Sequence, residues 1–481
     1  MANISIKKAA LINFIAKYSN ILIQLLVNCI LARILTPDDY GIVAVITVFI
    51  SFFTMIADMG IGPAIIQNKE LSTRDVSEIF TFTILTGVII AIIFALFSYP
   101  LSKIYDNNVY IYLGMILSIS ILFNILNIVP NSLLLKEKKF KTLGVRTIII
   151  NFLCGMITIA LALVGAKYYS LVINSLLVGF FTFSINCYGS NLKIKFSFSS
   201  IKKIKQFSSY QFSFNFINYF SRNLDNLLIG KFMGQVPLGY YDKAYKLMLY
   251  PVSNLTFVIT PVLHPILSDY QNDKDIIYEK YIKVVKLLAL LGAFISVYCF
   301  FSADEIIRIM FGNQWGTSVA SFKILSISIC VQMVLSSSGT IFQATNETKK
   351  MFYAGLLGAG ANILMIIIGV LKGKIEYVAI GVVIAYMLNF ITCYYLLIKK
   401  VFNRKLTEFM MEFRSTILIL VICSLFMVIF EININNCMIS AAYKFVICGS
   451  GYVLSLYLTK EINMFLSILG LDKKRKIETT S

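Results

Sequence analysis

Asn13, Lys17, Asn20, Gln24 and Asn28 follow one another at spacings of 4, 3, 4 and 4 residues. That rhythm sets five polar side chains on one face of a helix. The pattern returns 198 residues later as Gln211, Asn215, Asn218, Arg222 and Asn226, polar at every position. Amides donate and accept hydrogen bonds, and a guanidinium forks onto two phosphate oxygens at once. The chemistry on offer is therefore the binding of an anionic ligand by Lys17, Asn20, Gln24, Asn28, Asn218, Arg222 and Asn226. Amides on such a face equally serve as hydrogen-bond glue between helices. Asp225 stands three residues after Arg222, within pairing reach along a helix. Asp58 precedes Gly60, Gly62 and Pro63; it suits either a coupling cation or a helix end. No nucleophile–base arrangement stands out, so no catalytic residue is expected and the chain does not read as an enzyme.

These faces need elements to hold them, and composition decides which. Of 481 residues, 58% are hydrophobic and 14% charged, whereas soluble domains carry about 25% charged residues. Phe (38) and Tyr (27) are too frequent for a disordered chain. The fold class is all-α and membrane-embedded. Nine Cys are scattered, with no C-x-x-C or metal spacing, so neither a disulfide framework, a metal nor any cofactor is expected. The apolar run to about Ile34 is too long for a signal peptide core and reads as a retained first span.

A window of ~20 residues per span finds fourteen: 10–33, 40–63, 79–100, 109–134, 144–166, 168–190, 206–230, 238–267, 284–303, 318–343, 351–371, 375–398, 414–431 and 440–459. With Met1 inside, alternate segments hold 30 Lys+Arg on the cytoplasmic side and 10 outside. This three-to-one bias is the positive-inside signal and puts both termini in the cytoplasm. Lys17, Arg222 and Lys323 are the three cations counted within spans, others near a span limit, such as Arg146, being counted with the adjoining segment; Lys323, near an outer end, snorkels. The +19 net charge is thus mostly topology, with +16 on the cytoplasmic segments, and does not mark a nucleic-acid partner.

The offset of 198 also lays Arg33–Gly41 on Lys231–Gly239 and Pro63 on Pro261. Further on the offset drifts to 211, with Gly144 on Gly355 and Asn151 on Asn362. Spans 1–6 match spans 7–12 in the same orientation, the parallel kind of transporter repeat. The expected organisation is a six-helix lobe over 1–190, a second over 191–400, and two extra helices with a basic tail over 401–481. Pro63 and Pro261 occupy equivalent places and are candidate hinges. His264, the one histidine, lies between Pro261 and Pro265 and is not expected to relay protons.

Several segments resemble one family. Arg33-Ile-Leu-Thr-Pro-Asp-Asp-Tyr-Gly-Ile-Val-Ala44 is similar to the first-loop motif of bacterial polysaccharide exporters, and Asp58-Met-Gly-Ile-Gly-Pro-Ala-Ile-Ile-Gln67 to the end of their second span. Asn223–Gly230, Leu238-Gly-Tyr-Tyr-Asp-Lys-Ala-Tyr245, Pro261–Ser268 and Phe311-Gly-Asn-Gln-Trp315 continue the likeness. The resemblance is to the Wzx-type O-antigen and capsule flippases, in particular the colanic-acid and teichuronic-acid exporter branch. It implies a flippase that moves oligosaccharide on undecaprenyl diphosphate across the bacterial inner membrane by alternating access. Its implied partners are the lipid-linked substrate, membrane lipids, and a polysaccharide polymerase and glycosyltransferases. Asp58 and Asp225 carry over by motif as ion-coupling candidates; Lys17 and Arg222 rest on the polar stripe alone. A cation-coupled drug extruder of the same superfamily is the alternative, and a membrane glycan polymerase or transferase a more distant one.

Overall fold

The computed structural model describes residues 6–68, 70–188, 190, 192–197, 200, 219, 222–268, 270 and 273–462, with the backbone alone for 6–14 and 257–268. Every regular element among them is helical. In order these are α1 (Ile6–Ile34), α2 (Pro37–Asp58), α3 (Ile61–Gln67), α4 (Thr73–Ile104), α5 (Val109–Leu126), α6 (Ile128–Lys136), α7 (Phe140–Leu163) and α8 (Tyr168–Tyr188). Residues 222–232 form α9. There follow α10 (Gln235–Ser268), α11 (Lys274–Phe301), α12 (Ala303–Phe311), α13 (Ser318–Ser326), α14 (Ile329–Leu335) and α15 (Ser338–Ala344). The last are α16 (Thr348–Leu371), α17 (Ile375–Tyr394), α18 (Leu406–Met411), α19 (Arg414–Ile429) and α20 (Cys437–Leu458).

Among the described residues, eleven helices are long and apolar enough to cross a membrane. A bent pair, Ser318–Ser326 with Ile329–Ala344 at 51°, brings this to twelve when taken as one span. The protein is a multi-pass membrane protein. Of the fourteen expected spans, 206–230 falls largely outside the described residues. The segment 238–267 lies within α10, one helix of 34 residues that runs on through Pro251, Pro261 and Pro265. The chain forms two compact units, Met1–Gly239 and Tyr240–Ser481.

A proline marks where the span of α2 breaks. It lacks its N–H and its ring crowds the carbonyl four residues earlier. Pro63 therefore interrupts the chain at Met59, and Met59 and Gly60 are both left-handed there (φ 43° and 77°), between α2 and α3. Pro130 leaves α5 and α6 in one span, Val109–Lys136, and Asn127 at their junction stays right-handed helical. Thus the candidate hinge at Pro63 is a broken span whose break lies upstream of the ring. Pro261 sits in α10 where only the backbone is described.

The first-loop motif is largely a helix-capping device. Thr36 Oγ1 accepts the Asp39 N–H at 3.3 Å while Asp39 Oδ2 accepts the Thr36 N–H at 2.9 Å. This capping box satisfies donors at the start of α2. Asp39 Oδ1 also accepts the Tyr168 N–H at 3.1 Å, tying the start of α8 to α2. Asp39 is 5% exposed. Replacing Asp39 with alanine is expected to lower stability by about 2 kcal/mol, read as a lower unfolding midpoint of purified protein; Asp39→Asn should retain part.

In the second unit α11, α14, α19 and α20 enclose an apolar core around Leu290, Ala293, Cys330, Cys423 and Cys448. Six of the nine cysteines are buried, in keeping with small apolar packing. Two further motif segments meet here. The buried Lys243 ammonium lies 4.9 Å from the Phe311 ring centre and 5.5 Å from that of Trp315, a cation–π cage. The Phe311–Trp315 segment thus folds onto the Leu238–Tyr245 segment.

Candidate functional site: a cavity beside a broken span

Polar backbone freed at membrane depth is tolerable only where it meets protein or lines a cavity. The break after α2 borders one. A cavity of about 760 Å³ is lined by Asp58, Gly62 and Pro63 at that break, and by Asn124, Ile128, Asn131 and Ser132 around the α5–α6 junction. Thr47, Ser51 and Thr54 of α2 and Ser175 of α8 line it as well. The volume is within the 300–1,000 Å³ typical of small-molecule sites.

Most polar groups here are uncharged. The Thr47 hydroxyl donates to the Ala44 carbonyl at 2.9 Å and that of Ser132 to Ile128 at 2.7 Å. Both keep acceptor lone pairs for a ligand. The Thr54 hydroxyl is buried without a hydrogen-bond partner. Asp58 Oδ1 accepts the Gly62 N–H at 3.2 Å across the first break, so this carboxylate serves a helix end while it faces the cavity. Ile50, Met55, Ile66 and Leu135 supply apolar wall between these groups.

The stripe residues lie elsewhere. Asn20 Oδ1 accepts the Asn151 amide at 2.6 Å, joining α1 to α7. Asn28 donates to the Gln24 carbonyl at 2.9 Å within α1, and Gln24 is exposed. Lys17 is half-buried. None of them lines this cavity. Asn218, with Gln211 and Asn215, lies outside the described residues. Arg222 is exposed, and no ion pair joins it to Asp225 among the described residues. Asp225 is 3% exposed, and its Oδ1 accepts the Asn226 N–H at 2.9 Å. Asn226 Oδ1 is buried and unpartnered. Lys323 stands over the Phe300 ring at 4.7 Å.

Two features escaped the sequence reading. Thr47, Ser51, Thr54 and Asp58 recur at spacings of 4, 3 and 4, the same helical stripe as on the first span but written in hydroxyls. Arg146, counted there with the cytoplasmic segment, is six residues into α7 and half-buried. Its Nη1 donates to Asn186 Oδ1 at 2.5 Å and lies 3.4 Å from Asn131 Oδ1.

These elements define the class as a helical membrane protein with a cavity within its first unit. Solved structures share its fold. The lipid II flippase MurJ in an inward closed conformation superposes with a TM-score of 0.76 at 16% identity, over 94% of this chain and 99% of that one. An inward-facing multidrug resistance MATE transporter superposes at 0.61 with 13% identity, over 78% and 93%. At these identities the likeness is one of fold.

Sequence fixes the family. Residues 30–320 match the family described as Polysaccharide biosynthesis protein, and the chain belongs to it. The teichuronic acid biosynthesis protein TuaB of Bacillus subtilis (strain 168) is 26% identical over 307 residues; the match spans 63% of each chain. The lipopolysaccharide biosynthesis protein WzxC of Escherichia coli (strain K12) is 21% identical over 396 residues, 80% of this chain and 79% of that protein.

Proposed function

We propose that this protein is a flippase that carries oligosaccharides linked to a polyprenyl diphosphate from the cytoplasmic to the outer leaflet of the bacterial inner membrane. The observation that carries this reading is the cavity: about 760 Å³ of space whose largely apolar wall carries hydroxyl, amide and carboxylate groups, inside a unit built of membrane-spanning helices. Sugars cannot cross hydrocarbon unaided, since each unpaired polar group costs several kcal/mol there. Thr47, Ser51, Thr54, Asn124, Asn131 and Ser132 offer partners that lower this cost, and the apolar wall accommodates ring faces. Family membership and the shared fold support the same reading. TuaB and WzxC are named for cell-surface polysaccharide synthesis, which suggests glycosyltransferases and a polymerase as neighbours in the pathway.

In this reading the chain has fourteen spans in two parallel six-helix repeats (1–190 and 191–400) with 401–481 appended, and both termini are cytoplasmic. The stripe cations Lys17 and Arg222 serve the anionic part of the substrate along its path. Asn20, Gln24, Asn28, Asn218 and Asn226 serve its polar part. Asp58 and Asp225 are the candidates for ion coupling, and Pro63 and Pro261 for bending. An inside-negative potential favours outward movement of the diphosphate by ~2.3 kcal/mol per charge per 100 mV.

Reconstitution tests this. In liposomes loaded with undecaprenyl-diphosphate-linked glycan, the protein is expected to expose the sugar to an added glycosidase. Thr54→Trp, which fills the cavity, should cut the rate at least about tenfold, as should blocking any obligatory binding step. Lys17→Ala and Arg222→Ala should each slow transport at equal protein level. Failure of the wild-type chain to expose sugar, beside a competent flippase, sinks the proposal.

A further inference from the structure

Arg146 is a cation that no carboxylate pairs with among the described residues. It lies on α7 about 9 Å along the helix from Phe140, at 1.5 Å per residue. Its neighbours are neutral: Asn186 and Asn131 face Nη1, and Thr147 Oγ1 is 3.4 Å from Nη2. Asn186 is 2% exposed and its own amide donates to Asn127 Oδ1 at 2.7 Å, at the junction of α5 and α6. The guanidinium Nε is buried and has no hydrogen-bond partner. Among the described residues no carboxylate forms an ion pair with it. Arginine does not surrender its proton inside proteins, so the charge remains and is held only by dipoles. Taking such a charge out of water is costly. The cost falls when an anion arrives, and that difference is binding energy.

The surroundings say where an anion would come from. Asn131 lines the cavity and is also the longer of the two amide contacts to Nη1, at 3.4 Å. On the cytoplasmic side the turn before α7 carries Lys138 and Lys139 and its first turn Lys141, all exposed, a set of charges that draws anions toward the cavity's inner rim. We infer that Arg146, which reaches the cavity through its contact with Asn131 and is not itself on the wall, is the anion-binding group that serves it: a phosphate oxygen of the lipid-linked diphosphate displaces the Asn131 contact and takes Nη1. For the identity of the ligand this rests on the flippase reading. Lys139 is partly engaged with Glu137 at 2.6 Å, so the inner lysines gather the anion and Arg146 holds it. The fork geometry of arginine adds a directional grip that a lysine lacks.

The test uses full-length protein in lipid nanodiscs, titrated with farnesyl diphosphate, inorganic pyrophosphate and uncharged farnesol. Wild type is expected to bind both diphosphates. Arg146→Gln should weaken them at least about tenfold, the scale of a lost charge-assisted hydrogen bond, and leave farnesol unaffected. Asn131→Asp gives the sharper readout, because it supplies the missing carboxylate from within. It should abolish diphosphate binding and yet raise the unfolding temperature. A merely structural Arg146 would leave affinity unchanged in both variants, and that result overturns the inference. Where Arg146→Gln does not fold, the paired readouts of Asn131→Asp decide alone. Pyrophosphate bound through Arg146 without farnesyl diphosphate keeps the anion site and excludes the lipid as its source. Diphosphate binding through Arg146 without transport in liposomes keeps the site and sinks the flippase reading; intact transport with affinity untouched by either variant does the reverse. No diphosphate binding by wild type overturns the site.

Discussion

Alanine at Gly41 or Gly239 is expected to lower stability by about 1–3 kcal/mol at each position, the cost of forcing atoms into a packed contact. A Cβ added at Gly41 would overlap the Gln235 backbone carbonyl, and one at Gly239 would overlap that of Pro37. A backbone atom cannot rotate aside as a side chain can, so α2 and the start of α10 would have to move apart. The contact is reciprocal. Pro37 and Gly41 are the positions that the 198-residue frame lays on Gln235 and Gly239, and each glycine meets the other segment's helix start. Neighbouring ties hold the same region: the Tyr105 hydroxyl donates to the Leu227 carbonyl at 3.2 Å, Lys231 pairs with Asp106 at 3.2 Å, and the Tyr219 hydroxyl donates to Val48. The two substitutions share one crossing, so the double variant should cost less than the sum of the singles. Thermal unfolding of purified protein measures this, and unchanged midpoints in both single variants would refute the close approach.

Sequence made the membrane class and most spans legible because hydropathy is summed over many residues. It was less able to place chemistry. The amide stripe on the first span attracted attention, since Asn and Gln are costly against lipid. Yet Asn20 spends its oxygen on Asn151, a pairing between helices that spacing alone does not reveal. The hydroxyl stripe of Thr47, Ser51 and Thr54 went unweighted because Ser and Thr usually return their proton to the preceding turn, as Thr47 does to Ala44. What makes the stripe a candidate site is the cavity before it, and that depends on the packing of α2, α3, α5, α6 and α8. Pro63 is visible as a residue. Its effect falls four residues upstream, at Met59, beside the left-handed Gly60. Arg146 was read with the lysines of the preceding turn; only its contacts with Asn131 and Asn186, on two other helices, separate it from them. Motif segments distant in sequence gave no sign of meeting, as Lys243 does with Phe311 and Trp315.

Removing the Lys444 ammonium should be among the most damaging single changes in the second unit, and its damage should depend on pH in a reversed sense. Lys444 Nζ donates to Glu305 Oε1 at 2.5 Å and to the Phe301 carbonyl at 2.9 Å, joining α20 to α12 and the end of α11. The Ser440 hydroxyl donates to the same carboxylate oxygen at 2.7 Å. Glu305 is 8% exposed. Burial opposes its ionisation, but the hydrogen bonds from Lys444 and Ser440 outweigh that and hold the carboxyl below its usual range. A group with a depressed folded value contributes stability that is complete above the unfolded carboxylate range near pH 4.3. That contribution is lost as pH falls through the folded value. Wild type should therefore lose this support only in acid. In Lys444→Met the chief opposing interaction is gone and burial dominates, so the carboxyl rises above its usual range. The variant should lose about 2–4 kcal/mol at neutral pH, toward the lower side for a broken buried pair because Lys444 keeps some access to solvent, and should recover as the medium is acidified. Glu305→Gln combined with Lys444→Met removes both charges and should restore most of the loss at pH 7, since neither ion is left buried alone. An unfolding midpoint for Lys444→Met that falls in parallel with wild type on acidification would show that the pair does not control this junction.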